Sequence, residues 1–148
     1  MSTIKKTSGA QWPLVATFEF DIAGADAMVA TNAALVAFSA AANTVYDLFT
    51  LPYNSQVIGG DLTVKTVSND TGTSTIALGD SGTAARYLAA TNFKAAARTA
   101  VTPTGYATQG EALRMTIANQ NGNATTGKAK IVILFLVDSR QTENLKTT

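Results

Sequence analysis

The segment Ile131–Val137 is the feature of this sequence that most restricts its fold. All of its residues are apolar, and large side chains occupy both its odd-numbered and its even-numbered positions. In an extended strand these two sets point to opposite faces. The run is much shorter than the about 20 residues that a membrane-spanning helix requires. It therefore predicts a strand, Lys128–Asp138, that is covered on both faces.

The second face of this predicted strand consists of Val132, Leu134 and Leu136. Burying one such side chain stabilises a fold by about 1.5–3 kcal/mol, and a long exposed apolar strand promotes aggregation. A cover is therefore expected over these residues. Two covers remain open at this point: the segment 25–42 of the same chain, laid over the sheet, or another subunit.

Alternating apolar and polar residues predict more strands along the chain. Apolar residues occupy the even positions of Leu14–Ile22 and positions 113, 115 and 117 of Glu111–Ala118, a period of two that indicates half-buried strands. Gly59-Gly60 predicts a bulge or a close backbone approach. About eight strands separated by short turns are typical of an all-β sandwich or barrel. The other predicted strands are Val45–Leu51, Gln56–Val67, Ser74–Leu78 and Arg98–Val101.

Two alanine-rich segments are harder to interpret. In 25–42 the apolar residues fall at helical spacing and Asp26 is suited to an N-cap, so we predict a short helix, with an Ala-rich loop as the alternative. In 84–97, alanine favours a helix, but Thr91-Asn92 and the neighbouring strands favour short extended pieces, which we predict.

The length of 148 residues suits a single domain. Both ends are polar, so we expect an N-terminal arm over 1–11, one β-sandwich domain over 12–140, and a C-terminal tail over 141–148. Fraying of these ends and their ordering on a partner surface are both open.

Composition excludes several classes of function. The chain has no histidine and no cysteine, which removes disulfides, thiolate and imidazole metal sites, and every catalytic pair of nucleophile and histidine. A net charge of +1 gives no long-range attraction to nucleic acid or to an anionic membrane. We therefore expect no enzyme activity, no cofactor, no metal, no nucleic acid and no membrane partner.

Two motifs still need an interpretation. Gly79-Asp80-Ser81-Gly82 matches the nucleophile motif of chymotrypsin-like serine proteases, but that chemistry needs a histidine base, so we interpret it as a turn. Glu19 and Asp21 share one strand face about 7 Å apart, a separation that some glycosidases use. A solvated strand face is the simpler interpretation, and a carboxylate hydrolase is the alternative. Asn69 and Asn123 begin glycosylation patterns and are interpreted as turn residues.

The order of segments after Leu51 resembles small structural proteins of tailed bacteriophages, similar to the jelly-roll head decoration (cement) proteins. The resemblance extends over residues 14–140. It implies a jelly-roll-like sandwich, no catalysis, self-association as a homodimer or homotrimer, and binding to the major capsid protein across capsomer junctions. It also implies synthesis in the bacterial host cytoplasm and a final location on the surface of the phage head. The matching segments are Leu51-Pro52, Val57–Val64, Thr73–Thr75, Leu78–Asp80, Ala85–Leu88, Arg98–Tyr106 and Val137-Asp138.

The predicted contact residues come from three groups. Aromatic residues near the ends of elements often anchor interfaces, lysines in the N-terminal arm suit an acidic capsid surface, and the second face of the apolar strand suits another subunit. For the aromatic residues, packing at the edge of the core is the alternative. A binding module of the same fold on a tail or fibre, for carbohydrate, is the alternative function. The predicted contacts are Lys5, Lys6, Trp12, Tyr46, Tyr53, Val132, Leu134 and Leu136.

Overall fold

The computed structural model describes residues 13–24, 27–29, 35–39 and 42–137. Every regular element within these residues is a β-strand, which confirms the all-β fold class. The strands are β1 (Leu14–Asp21), β2 (Ala27–Val29), β3 (Leu35–Ala37), β4 (Ala42–Thr50), β5 (Ser55–Thr66), β6 (Ser74–Gly79), β7 (Leu88–Asn92), β8 (Arg98–Ala100), β9 (Ala112–Asn119) and β10 (Lys128–Val137).

Two antiparallel sheets of four strands form a sandwich. The first sheet has the order β1-β10-β5-β8, the second sheet has the order β4-β9-β6-β7, and β2 pairs with β3 separately. When β2 and β3 are left aside, the chain crosses from one four-stranded sheet to the other after every strand except at the β6–β7 hairpin. This path is jelly-roll-like, as predicted for a sandwich of about eight strands.

Strand β10 lies in the middle of the first sheet. It pairs with β1 from Lys128 to Phe135 and with β5 along its whole length. Its odd-numbered residues from Ile131 to Val137 are at most 8% exposed and form part of the core. Because β1 and β10 are antiparallel and Leu14 pairs with Phe135, the first residue of β1 and the last residue of β10 lie at the same end of this sheet.

An aromatic cluster fills the core between the two sheets. The ring of Phe20 stacks on Phe38 with 4.6 Å between centroids and meets Phe93 edge-on at 5.8 Å. The ring of Phe38 lies 4.8 Å from that of Tyr46. All of these rings are at most 3% exposed, so β1 and β4 are joined through Phe38, which belongs to neither strand.

The helix predicted over 25–42 is wrong for the residues that the structure describes there. Ala27–Val29 and Leu35–Ala37 pair as antiparallel strands, and the predicted N-cap Asp26 lies outside the described residues. The helix propensity of alanine is a weak preference that tertiary contacts override. Here Phe38 is drawn into the core, and the Asn119 side chain donates a 2.9 Å hydrogen bond to the Phe38 carbonyl oxygen.

The segment 84–97 contains one short strand, β7, with turns and bends on both sides, which agrees with the predicted short extended pieces rather than with a helix. Tyr87 and Phe93 flank this strand and are at most 1% exposed. The aromatic residues of the segment therefore anchor it to the core. The predicted arms, 1–11 and 141–148, lie outside the described residues.

Both expectations for Gly59-Gly60 are confirmed. Val57 pairs with Phe135 and Gly59 with Leu134, so Ile58 is an extra residue in a bulge. Gly60 has φ +136°, and a Cβ atom on it would lie 2.1 Å from the backbone oxygen of Val132. Strand β5 therefore approaches β10 at a distance and backbone angle that only glycine allows.

The neighbouring glycines give a matched test of this close approach. We expect Gly60→Ala to lower the free energy of unfolding by about 2–4 kcal/mol, because it adds both backbone strain and a steric clash. Gly59→Ala meets no atom within 4 Å and should leave stability unchanged or raise it by up to about 1 kcal/mol. Urea denaturation of both variants measures the difference, and equal midpoints would contradict this account.

Candidate interaction surface

The outer face of the first sheet is divided into an apolar end and a charged end. We define the apolar end as Val15, Ile58, Val132, Leu134 and Leu136. Val15 and Leu134 pair directly across β1 and β10, and Leu134 faces Gly59 on the other side. Val132, Leu134 and Leu136 are half-buried, whereas Val15 is 60% exposed and Ile58 is 38% exposed.

The bulge in β5 adds Ile58 to this face. Without the extra residue, β5 would present only glycine opposite Leu134. A bulge redirects a side chain by placing two residues against one on the partner strand. The same local irregularity that follows from Gly59-Gly60 therefore enlarges the apolar end by one aliphatic side chain.

Tyr53 projects from the turn that leads into β5, at the apolar end of the sheet, and is 65% exposed. The buried hydroxyl groups of Ser55 and Thr108 hold this turn in place by hydrogen bonds on its inward side. Thr108 donates from Oγ1 to the Pro52 carbonyl oxygen at 2.6 Å, and its Oγ1 lies 2.8 Å from Ser55 Oγ. Tyr53 is thus held outward by a rigid turn, at low entropic cost for binding.

Three of the four large exposed hydrophobic residues within the described segments therefore lie at one end of one sheet. These are Val15, Tyr53 and Ile58, and the fourth, Val67, follows the opposite end of β5. Clustering of this kind marks an interaction site, whereas single scattered residues do not.

The charged end of the same face is held together by ion pairs. Lys65 Nζ lies 2.8 Å from Glu19 Oε2, and Lys128 Nζ lies 3.2 Å from Glu19 Oε1 and 3.7 Å from Asp21 Oδ2. The hydrogen bonds from Lys65 and Lys128 lower the pKa of Glu19. A glycosidase acid needs a raised pKa, so this geometry favours the solvated strand face over the hydrolase.

Arg98 and Asp61 extend the charged end toward β8. Arg98 donates to Asp61 Oδ2 at 2.7 Å, and this hydrogen bond lowers the pKa of Asp61. Since the arginine side chain is 75% exposed, the pair lies at the solvent edge, where one ion pair contributes little to stability.

Tyr46 is a core residue of the folded chain, so its assignment as a contact residue is corrected. The side chain of Tyr46 is fully buried, and its register partner on β9 is Met115. Its hydroxyl donates a hydrogen bond to the Ala37 carbonyl oxygen at 3.0 Å. Strand β4 begins at Ala42, before the predicted start, which places Tyr46 in the middle of the strand rather than near its end.

The other predicted contacts fall into two groups. Val132, Leu134, Leu136 and Tyr53 lie at or beside the apolar end, whereas Lys5, Lys6 and Trp12 lie outside the described residues. Within the segment 25–42, Phe38 packs on the inward side chains of β1 and not over the outer face.

The predicted contact residues did not include Val15 or Ile58, although the alternation in β1 already places Val15 on the outer face. The signal for Val15 was an apolar residue at an otherwise polar position of β1. The signal for Ile58 was its place next to the glycine pair.

The motif Gly79-Asp80-Ser81-Gly82 forms a turn, as predicted. Asp80 is 3% exposed, and its Oδ1 accepts hydrogen bonds from the backbone N–H groups of Gly82 at 2.9 Å and Thr83 at 2.8 Å. Its Oδ2 forms an ion pair with Arg86. Ser81 itself is exposed, so the motif organises a loop around the aspartate and not around the serine.

Arg86 connects this turn to the loop before β9. Its guanidinium lies 3.7 Å from the ring centre of Tyr106, and the Tyr106 hydroxyl donates to Glu111 at 2.6 Å. The bond to Glu111 raises the pKa of Tyr106. Burial acts to raise the pKa of Asp80, but the hydrogen bonds from Arg86, Thr83 and Gly82 outweigh it and the pKa is lowered.

Asp70 fixes the loops at the opposite end of the sandwich. It is 1% exposed and accepts from the backbone N–H groups of Gly72 at 2.7 Å, Asn123 at 3.2 Å and Asn121 at 3.4 Å. Asn69 Oδ1 accepts from the Thr125 N–H group at 2.8 Å. Both glycosylation patterns therefore lie in irregular, hydrogen-bonded loops at this end of the sandwich.

Within the described residues, no three or more His, Cys, Asp or Glu side chains come together in a group that could hold a metal ion. None of these residues forms a helix with the length and apolar character that a membrane span requires.

Comparison with known proteins gives structural neighbours and no sequence family. No protein-family model matches the chain, and no curated protein sequence matches it significantly. Its structure is similar to a chain of the cyanophage Pam1 capsid asymmetric unit, with 17% identity, a TM-score of 0.59, and coverage of 92% of this chain and 94% of that chain.

Two further solved structures are similar over most of their length. One is a chain of the acid-stable capsid of Helicobacter pylori bacteriophage KHP30, with 18% identity, a TM-score of 0.56, and coverage of 84% and 87%. The other belongs to the capsid of Ralstonia phage GP4, with 20% identity, a TM-score of 0.51, and coverage of 90% of each chain. At these identities the likeness establishes the shared fold.

The contribution of Asp80 to stability can be tested by substitution, with the adjacent residue Ser81 as the control. We expect Asp80→Asn to lower the free energy of unfolding by about 1.5–3 kcal/mol, because charge-assisted hydrogen bonds are lost. Ser81→Ala should stay within about 0.5 kcal/mol, as for other surface substitutions. Urea denaturation at neutral pH compares the two variants, and a larger loss for Ser81→Ala would contradict the assignment.

The Asp80→Asn variant also tests how the free energy of unfolding depends on pH. Because the pKa of Asp80 is lowered on folding, its contribution is complete above the unfolded pKa of about 3.9 and is lost as the pH falls through the folded value. The unfolding free energy of the wild type should therefore fall below about pH 4 more steeply than that of Asp80→Asn. Parallel curves would contradict this role of Asp80.

Proposed function

We propose that this protein is a non-enzymatic structural component of a bacteriophage virion, and more specifically a decoration protein that binds the outside of the head across capsomer junctions. The observation that carries the proposal is the whole-chain likeness to three chains of phage capsids, which covers 84–92% of this chain and 87–94% of theirs. The resemblance of its segment order to jelly-roll cement proteins supports the same class.

The chemistry of the surface also supports a binding role. Glu19, Asp61 and Asp80 form ion pairs, and the chain has neither histidine nor cysteine. The apolar end and the rigidly held Tyr53 provide contact area with little ordering cost. Such a chain acts by remaining attached to its neighbours.

Attachment alone is enough to stabilise a shell. A ligand that binds the assembled state and not the dissociated state stabilises it by mass action, by about 2.7 kcal/mol per site when its free concentration is 100 times its Kd. Repeated over many equivalent sites, this free energy opposes the opening of the capsid. Oligomeric copies bind more tightly still, because each attached subunit raises the effective concentration of the next.

The proposed partners are the major capsid protein and other copies of this chain, as a homodimer or homotrimer. Tyr53 and the apolar end are the described residues proposed for contact, and Lys5, Lys6 and Trp12 remain proposed contacts from the N-terminal arm. The proposed location is the surface of the head, after synthesis in the host cytoplasm.

Particles assembled with and without the protein test this function. We expect gradient-purified virions to contain the protein in many copies, and particles from an infection with its reading frame interrupted to release DNA at a lower temperature, because they lack the binding free energy. Adding the purified protein should restore the release temperature, which a DNA-binding dye reports during heating.

Three outcomes of this experiment would count against the proposal. Absence of the chain from purified virions would contradict a virion role. An unchanged release temperature would contradict stabilisation of the head. Antibody labelling of the tail or fibre, seen by negative-stain microscopy, would favour the alternative of a tail-associated binding module.

A further inference from the structure

We propose that Asn121 is the site at which this chain deamidates, and that the buried carboxylate of Asp70 holds the reaction back while the chain is folded. The reaction joins the side chain of an asparagine to the backbone nitrogen of the next residue. Asn121 is exposed in the loop between β9 and β10 and is the only asparagine of the chain that glycine follows. Because glycine has no Cβ atom to hinder the attack, Asn121-Gly122 is the most reactive pair of this kind in the sequence.

The reaction needs water and no other reagent. The backbone nitrogen of Gly122 loses its proton to solvent and attacks Cγ of Asn121, and the new N–Cγ bond closes a five-membered succinimide ring. The Cγ–Nδ2 bond breaks, and the amide nitrogen takes up a proton and leaves as ammonia. Water then opens the ring at either carbonyl group, which gives aspartate or isoaspartate. In isoaspartate the backbone runs through the former side chain and is one methylene group longer.

Asp70 surrounds the reacting nitrogen with negative charge. Its carboxylate accepts hydrogen bonds from the N–H groups of Asn121 at 3.4 Å and Asn123 at 3.2 Å, the residues on either side of Gly122. Burial acts to raise the pKa of Asp70, but backbone hydrogen bonds, including one from Gly122, outweigh it and the pKa is lowered. The carboxylate therefore stays charged beside the nitrogen that must lose a proton, and a neighbouring negative charge disfavours that loss.

The side chain that would be attacked is also restrained. Nδ2 of Asn121 donates to Thr71 Oγ1 at 2.7 Å. Thr71 is itself fixed by Asn123, whose Oδ1 accepts from the Thr71 N–H group at 3.1 Å and whose Nδ2 donates to the Thr71 hydroxyl at 3.0 Å. These bonds restrain the rotation that brings Cγ to the backbone nitrogen. The rate of reaction therefore follows the fraction of chains in which the loop is open.

The neighbouring asparagines are poorer sites, although they lie in the same loops. Asn69 precedes Asp70, and its Oδ1 accepts from the Thr125 N–H group at 2.8 Å. Asn123 precedes Ala124, which is 5% exposed. In both cases the following residue has a side chain that hinders attack by its nitrogen, so reaction at Asn69 and Asn123 is expected to be slower than at Asn121.

The conformation of the loop explains why a reactive pair stands here. Gly122 has φ +61°, an angle that residues with a side chain rarely adopt. Consecutive N–H groups around such an angle converge on one anion, which here is the Asp70 carboxylate. A larger residue at 122 would slow the reaction but would strain this arrangement, so the loop keeps glycine and Asp70 restrains it.

Deamidation at Asn121 would undo the arrangement that restrains it. Either product places a second carboxylate beside Asp70, and like charges in one site repel. Isoaspartate also lengthens the backbone between two N–H groups that bond to Asp70. The loops 67–73 and 120–127 would then lose their shared anchor, so one slow reaction would loosen this end of the sandwich.

The first test compares two buried aspartates, one at each end of the sandwich. The full chain and its Asp70→Asn and Asp80→Asn variants are kept at mildly alkaline pH, and deamidated positions are located by mass spectrometry of peptides. We expect the wild type to deamidate first at Asn121, and Asp70→Asn to raise that rate about tenfold or more, because loss of charge-assisted hydrogen bonds increases the open fraction of the loop. Asp80 also accepts from backbone N–H groups, and Asp80→Asn should stay within about twofold of the wild-type rate.

Circular dichroism and urea denaturation establish that the compared chains are folded and similarly stable. Equal acceleration in Asp80→Asn would overturn the proposal, because the rate would then follow global stability. Reaction of the wild type at Asn69 or Asn123 before Asn121 would overturn it as well. So would a folded Asp70→Asn chain that reacts at the wild-type rate.

Amide hydrogen exchange is a second test, on the unaltered chain, which decides the role of Asp70 even if Asp70→Asn does not fold. Base-catalysed exchange removes the same proton from the Gly122 nitrogen that deamidation removes. The control is Gly105, an exposed loop glycine with φ +71°. By NMR we expect the Gly122 N–H group to exchange at least about tenfold more slowly than that of Gly105, and equal exchange rates would overturn the restraint by Asp70.

Discussion

The structure depends on one constraint, which is that β10 is apolar on both faces and has strands on both sides. Its inward residues form the centre of the core, and its backbone pairs with β1 on one edge and β5 on the other. Since β1 and β5 take their register from β10, the position of every side chain on the outer face of the first sheet follows from this strand. The apolar end and the charged end are consequences of the same pairing.

The two ends of the sandwich are held by buried aspartates that accept hydrogen bonds from backbone N–H groups. Asp70 joins the loop before β6 to the loop between β9 and β10, and Asp80 organises the turn after β6. Backbone N–H donors offset the cost of burying each carboxylate, and at Asp80 the Arg86 guanidinium contributes as well. The loops at both ends are therefore tied to each other and to the core by hydrogen bonds to buried carboxylates.

Much of this fold could be predicted from the sequence because side-chain periodicity is a local property. The alternation in β1 and β9 and the continuous apolar run in β10 specify strands without reference to the rest of the chain. The helix over 25–42 could not be corrected in this way, because the destination of Phe38 is decided by Phe20 and Tyr46, which lie elsewhere in the sequence. Tyr46 was misassigned for a related reason, since the start of β4 depends on its pairing with β9.

The candidate surface was predicted in part. Val132, Leu134 and Leu136 follow directly from the pattern of β10. The addition of Ile58 depends on a bulge whose register is set by Phe135 and Leu134, and a glycine pair indicates that a bulge exists without saying which neighbour it turns outward. Val15 is a single apolar residue on a polar face, and its meaning appears only when Leu134 is placed beside it.

The adjacent positions of Leu14 and Val137 have a mechanical consequence. A force that pulls Leu14 and Val137 away from each other would separate β1 from β10 one residue pair at a time, beginning at this end of the sheet. A force on a single end, with the body of the sandwich held at its outer face, would instead slide β1 along β10 and load all of their hydrogen bonds together. The same strand pair is therefore weak under one direction of tension and strong under the other, and an attachment that uses one end of the chain bears the larger load.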